Sequence, residues 1–187
     1  MFEAEIKGMK DLEDEWSEKI STVILRGFDA RCRDYLRNKK QWQEKGEEAR
    51  GVLTAFVGAL SYLQEKISKI EAELNEIDFV RVWRNLASGV DNLFFTGLFA
   101  SNTKFSDAGV ERFAGDLGFL FGVFSAWCLR PEGFFPRLRE SVKLLKMKKQ
   151  WKEDLVKGKE KWLKENGIRH LTLVEAEKIW KNRVFVT

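Results

Sequence analysis

Histidine occurs once in the 187 residues, at His170, so a multi-histidine metal site is excluded and a single imidazole is left for acid–base work. Proline occurs only twice, which leaves room for long uninterrupted helices. The two cysteines, Cys32 and Cys128, stand far apart and fit no metal-binding or redox spacing. Each falls in a helical pattern among apolar neighbours and reads as a small buried hydrophobe. A disulfide between them is compatible with the sequence, but nothing requires an oxidising compartment. The longest uncharged apolar run, Leu117 to Leu129, has 13 residues. Crossing a bilayer takes roughly 20, so this run reads as a core helix. Met1 is followed by Glu3 and Glu5 rather than by a basic and then an apolar stretch, so no signal peptide is expected. No alternating strand pattern and no internal repeat occurs.

What is present is helical. Hydrophobic residues make up 44% and charged residues 33%, which supplies a core and a solvated surface and excludes disorder as the default. Fifteen Phe and seven Trp bring large apolar areas to helix–helix seams. A first helix from Phe2 to about Arg37 carries a stripe that includes Ile6, Met9, Trp16, Ile20, Ile24, Cys32 and Tyr35. Gly27 is expected to loosen or bend it. The polar run Asn38–Glu48 reads as a connection or a solvated extension. A second helix is expected over Ala49–Glu76 and a third from Ile77 or Asp78 to Ala100, followed by a turn at Ser101–Lys104.

Ser106-Asp107 is an expected N-cap for a fourth helix running to Cys128. Ala114, Gly118, Gly122 and Ala126 recur every four residues along it, a smooth strip that predicts close approach of another helix. Arg130-Pro131-Glu132-Gly133 ends that helix, with Arg130 placed to cap its carbonyls and Pro131 to restart the chain. Phe134 and Phe135 would anchor the corner. A fifth helix is expected to about Lys149, with the pattern continuing through Trp151, Leu155 and Trp162 to a C-cap at Asn166-Gly167. Thr172 to Glu175 fits a capping box for a short last helix bearing Ala176, Ile179 and Trp180. The expected fold is all-α, an antiparallel helical bundle, elongated, with short connections.

A search for chemistry returns little. His170 lies beside the last cap, where exposure or local capping is the reading, and no serine or cysteine elbow accompanies it. No phosphate-binding loop occurs. No catalytic residue, cofactor or metal is assigned. Charge is more telling. Residues 1–136 hold 18 Lys+Arg against 22 Asp+Glu, a net of −4; residues 137–187 hold 15 against 7, a net of +8. Lys143, Lys146, Lys148, Lys149 and Lys152 head this basic quarter. With Trp151, Leu155 and Trp162 interleaved, it would form an amphipathic basic helix able to bind an anionic membrane surface, nucleic-acid phosphates or an acidic partner. The alternative is a solvated lysine face with its tryptophans docked on the bundle. Nucleic acid is the least favoured partner, because no base-reading module accompanies the lysines.

Arg130-Pro131-Glu132-Gly133-Phe134-Phe135-Pro136, followed by Glu140-Ser141 and Leu144-Leu145-Lys146-Met147, resembles the C-terminal signature of the Rint/Tip family of vesicle-tethering subunits. Phe105-Ser106-x-x-Gly109-Val110-x-x-Phe113-x-x-Asp116 fits the same family, as does Ile77-Asp78-Phe79-Val80-x-Val82-Trp83. Val23-Ile24-Leu25-Arg26-Gly27-Phe28-Asp29-Ala30-Arg31 looks like its plant, maigo-type branch. The match covers roughly residues 2–150, with a weaker echo from Glu175 to Phe185. The resemblance implies a helical-rod tether module over residues 1–150, with residues 151–187 a basic helical extension packed on it or projecting from it. It also implies a C-terminal piece of a longer subunit that is non-catalytic and peripheral on the cytoplasmic side of the endoplasmic reticulum. That subunit would belong to a Dsl-type (NRZ-type) complex in Golgi-to-ER transport, with companion tether subunits and ER SNAREs as partners and no small-molecule substrate. The residues that carry the signature are Gly109, Phe113, Asp116, Arg130, Pro131, Phe134 and Phe135.

Overall fold

The computed structural model describes residues 2–43, 50–148 and 151–185, excepting the side chains of residues 50–53, 151–153, 155 and 156. The expectations placed on Lys149, Trp151, Lys152 and Leu155 as side chains therefore lie outside the described residues, as does the end of the polar run. Among the described residues seven helices follow in order: α1 (Phe2–Arg37), α2 (Arg50–Glu73), α3 (Glu76–Phe95), α4 (Asp107–Phe124), α5 (Pro136–Leu145), α6 (Trp151–Glu165) and α7 (Leu173–Lys181). A 3-10 turn, Lys39–Trp42, precedes α2 and another, Pro131–Phe134, precedes α5; α3 ends in a π-helical turn, Thr96–Ala100. No strand occurs among the described residues. A single parallel bridge joins Phe105 to Arg183. The all-α bundle expected from the sequence is what the chain forms.

The first three helices run up, down and up. Against α2, Tyr35 stacks on Phe56 at 4.3 Å, and Ile20 shares a groove with Ile70, so rising numbers on one helix meet falling numbers on the other. Against α3, Ser21 donates to the Val82 carbonyl at 3.1 Å, Leu25 touches Gly89 and Leu36 touches Gly97, so both rise together. α1 runs unbroken through Gly27. A Cβ there would stand 2.0 Å from the Tyr62 hydroxyl, so glycine serves close approach of α2. The buried stripe of α1 is Ser17, Ser21, Ile24, Phe28, Cys32 and Tyr35. The earlier apolar residues Phe2, Ile6, Met9, Leu12 and Trp16 are exposed, so the first four turns stay outside the core.

The core is dense in aromatic rings. Phe28, Tyr35, Phe56 and Phe94 pack across α1–α3, and Trp42, Phe99, Phe105 and Phe113 continue the cluster to α4. Burying each large apolar side chain is worth roughly 1.5–3 kcal/mol in transfer free energy. Trp42, in the run read as a solvated connection, is fully buried. Its Nε1 has no hydrogen-bond partner among the described residues and sits among ring edges and faces, with Tyr35 perpendicular at 5.3 Å.

Three helix ends fall short of their predicted limits, the first being α2, which stops at Glu73 rather than Glu76. α4 stops at Phe124 rather than Cys128, because the Ser125 hydroxyl donates to the Gly122 carbonyl at 2.6 Å and the chain tightens into i→i+3 bonds. α5 stops at Leu145 rather than Lys149, because the Leu145 carbonyl is taken by Arg183 Nε at 2.8 Å. Local caps follow expectation. Ser106 accepts from the Gly109 amide, Thr172 and Glu175 form the reciprocal capping box, and Gly167 ends α6 at φ +68°.

Candidate interaction site

The predicted strip on α4 does not receive a helix. Gly118, Gly122 and Ala126 are exposed, and a Cβ added at Gly115, Gly118 or Gly122 would meet nothing within 4 Å. The buried face of α4 is instead Val110, Phe113, Leu117, Leu120 and Phe124. Exposed Phe119 and Leu129 leave the solvent side of this segment with an apolar, open surface.

Gly109 is the opposite case. Its ideal Cβ would stand 1.8 Å from the Trp42 carbonyl oxygen, a backbone atom. That oxygen accepts the Ser106 amide at 2.9 Å and the Ser106 hydroxyl at 3.2 Å, so the start of α4 is fastened onto the Lys39–Trp42 turn. One helical turn on, Phe113 is fully buried and meets Trp42 edge-on at 5.5 Å. A further turn on, Asp116 accepts the Tyr35 hydroxyl at 2.7 Å. Burial holds the Asp116 carboxyl above its usual range, although Tyr35 and Arg112 pull the other way. Burial, then the Asp116 charge, pushes the Tyr35 phenol well up. Arg112 donates to the Gln41 carbonyl and Gln41 to the Tyr35 carbonyl, which closes the network. These groups fasten three elements together.

At the second signature corner, Pro131 and Phe135 are buried, while Phe134 is half-buried against Trp83 at 4.7 Å. Arg130 is exposed and does not cap α4; the last carbonyls of α4 accept from Ser125, Trp127 and Cys128 instead. The free thiols Cys32 and Cys128 are buried and half-buried, respectively.

Two more buried carboxylates, Asp91 and Glu140, do further fastening. Asp91 accepts the Arg137 and Leu138 amides at 3.2 and 2.9 Å, capping α5 from α3. Burial raises its pKa against those bonds. Glu140, only 2% exposed, accepts the Arg169 and His170 amides at 3.0 and 2.9 Å and meets His170 Nδ1 at 2.8 Å. The lone histidine therefore belongs to the loop before α7, and its carboxylate partner is already occupied by backbone. No group of three or more His, Cys, Asp or Glu that could hold a metal occurs among the described residues. No described helix is long and apolar enough to cross a membrane.

The basic quarter divides. Lys143 donates to the Asn166 carbonyl and Lys146 to Glu111 at 2.9 Å, so both fasten neighbouring elements. Lys148 is exposed, Trp162 packs half-buried against the core, and α7 contributes Ala176, Ile179 and Trp180 to it. Arg183, with 7% of its side chain exposed, bonds the Phe105, Leu145 and Val184 carbonyls and pairs with Asp107. Between α6 and α7 lies a pocket of about 510 Å³. Leu163, Ile168, Leu171 and Leu173 line it, with the exposed Glu160, Lys164 and Arg169 beside them.

The architecture is thus a helical bundle whose buried polar groups serve packing and capping, with its open features on the surface. The sequence model of the RINT-1/TIP-1 family matches residues 1–183, and the chain belongs to that family. It is 52% identical over 186 residues to the RINT1-like protein MAG2 of Arabidopsis thaliana, which covers 99% of this chain. The chain spans 23% of that relative's length. No solved structure matches.

Proposed function

We propose that the chain is a non-catalytic protein-interaction module of a vesicle-tethering subunit, acting in Golgi-to-ER transport and binding ER SNAREs or companion tether subunits. The observation that carries this reading is the family match across nearly the whole chain. The arrangement of polar groups supports the non-catalytic part. Asp91, Asp116 and Glu140, the buried carboxylates, are committed to amides, to Tyr35 or to His170, and among the described residues no serine or cysteine bonds to His170.

The immobilised folded chain is expected to retain purified cytosolic regions of ER SNAREs or companion tether subunits. Failure to retain any of them, by a chain with an intact helical spectrum and a cooperative melt, would sink the reading. A peripheral membrane role for the lysine-rich quarter is the weaker alternative, because Lys143 and Lys146 already bridge helices. Flotation with phosphatidylserine vesicles separates the two: the interaction reading predicts no salt-sensitive flotation.

A further inference from the structure

The pocket between α6 and α7 is apolar at its floor and cationic at its edge. Leu163, Ile168 and Leu171 are at most 6% exposed. The Gly167 and Ile168 amides bond back to Lys164 and Leu163, and the Arg169 and His170 amides are consumed by Glu140. Small-molecule sites carry a few polar groups inside an apolar cavity to fix a ligand's orientation. Here the amides of residues 167–170 are taken, and the charged side chains stand at the rim. An apolar anchor pocket inside a charged rim is the anatomy of a protein–protein hot spot.

The rim has a sign. Lys164 and Arg169 are exposed, and neither side chain has a hydrogen-bond or ion-pair partner among the described residues. Glu160 is the one carboxylate beside them. Residues 157–169 carry five Lys or Arg against two Glu, a local net of +3. The walls are also fixed in advance. Buried Glu140 holds residues 169 and 170 from beneath, Lys143 holds Asn166, and Arg137 pairs with Glu175 of the α7 capping box. A pocket preformed in this way costs its partner little ordering of the receiving surface.

We propose that this pocket receives an acidic amphipathic segment of a partner protein, its apolar side chains on the leucine–isoleucine floor and its carboxylates against Lys164 and Arg169. The proposal rests on the interaction-module reading and names the chemistry of the partner.

The test uses the whole chain and a synthetic amphipathic peptide of about 16 residues with Leu at i, i+3, i+4 and i+7 and Glu on its other face, beside a counterpart with Lys for Glu. The acidic peptide is expected to shift the backbone amide resonances of residues 163–173, and the basic one to leave them in place. Lys164→Glu with Arg169→Glu, both at exposed positions, is expected to weaken the acidic peptide by about five-fold or more. Lys157→Glu, outside the pocket, is expected to leave it unchanged. Absence of shifts, shifts located elsewhere, or an unaltered affinity in the double variant would overturn the proposal. Shifts of the same amides by phosphatidylserine vesicles and not by the peptide would reassign the pocket to lipid and overturn it equally. Failure here is distinct from failure of the tether reading. If the wild-type chain retains SNAREs or subunits and the double variant does so equally well, the pocket assignment falls and the tether role stands. If the wild type retains none, the tether role falls whatever the peptide does.

Discussion

Two stretches of α4 use glycine for opposite ends. At Gly109 a methyl group would collide with the Trp42 carbonyl, while at Gly115, Gly118 and Gly122 it would meet empty space. The residue type and the helix are the same, and only the neighbour differs. Long-range bonds converge on the start and the buried face of α4, because Trp42 and the Arg183 side chain reach its first turn and Tyr35 reaches Asp116. On the exposed side of the helix, Glu111 takes Lys146 from the end of α5, while Gly115, Gly118 and Gly122 face open space. Glycine periodicity along a helix therefore marks a smooth face without saying whether anything lies on it.

The largest way to break the contrast is at Trp42. Trp42→Ala is expected to destabilise by about 3–5 kcal/mol, because it empties the centre of the aromatic cluster. Trp42→Phe should cost clearly less, since the indole nitrogen has no partner to lose among the described residues. Denaturant melts of both variants check the pair. Next comes Gly109→Ala, expected to cost about 3 kcal/mol because the atom in the way is backbone and cannot rotate aside. No cost, or a gain in stability such as an exposed helical Gly→Ala change gives, would contradict the close approach.

Asp116 supplies the third prediction. Asp116→Ala leaves the Tyr35 hydroxyl buried and unpaired and is expected to cost about 1–3 kcal/mol. Asp116→Asn keeps an acceptor and adds a readout in pH. Burial raises the folded-state pKa of Asp116 above the ordinary 3.8. Its stabilising contribution is therefore complete below that value and is lost as pH rises through the folded-state pKa. The Asn variant should gain on the wild type as pH rises across this window, and a gap independent of pH would refute the sign. The smallest effects belong to the open side. Gly118→Ala and Gly122→Ala are each expected to stabilise by about 0.5–1 kcal/mol, through helix propensity alone. Destabilisation at either position would mean that a helix does lie on the strip.

The contrast also marks what was legible in the sequence. Caps at Ser106, Thr172 and Gly167 could be read because a side chain and the amide it serves lie within a few residues. The buried stripe of α1 from Ile24 to Tyr35 followed from helical spacing. Trp42 could not be read, since it sits in a polar run and its burial comes from α4 arriving from 64 residues away. Asp91 and Glu140 look like any surface carboxylate; their partners lie 46 and 30 residues on. Gly109 and Asp116 were found through the family signature, with no local cue to their contacts. The same spacing rule that found the core stripe of α1 extended it to Phe2, where the residues are exposed.

The interaction role is tested most directly by titrating the folded chain with purified ER SNARE cytosolic regions and companion tether subunits, one at a time, in a calorimeter. The account predicts saturable one-to-one binding to at least one of them, weakened by Lys164→Glu with Arg169→Glu and unchanged by Gly118→Ala. No heat and no complex with any of them, from a chain that melts cooperatively, would contradict it.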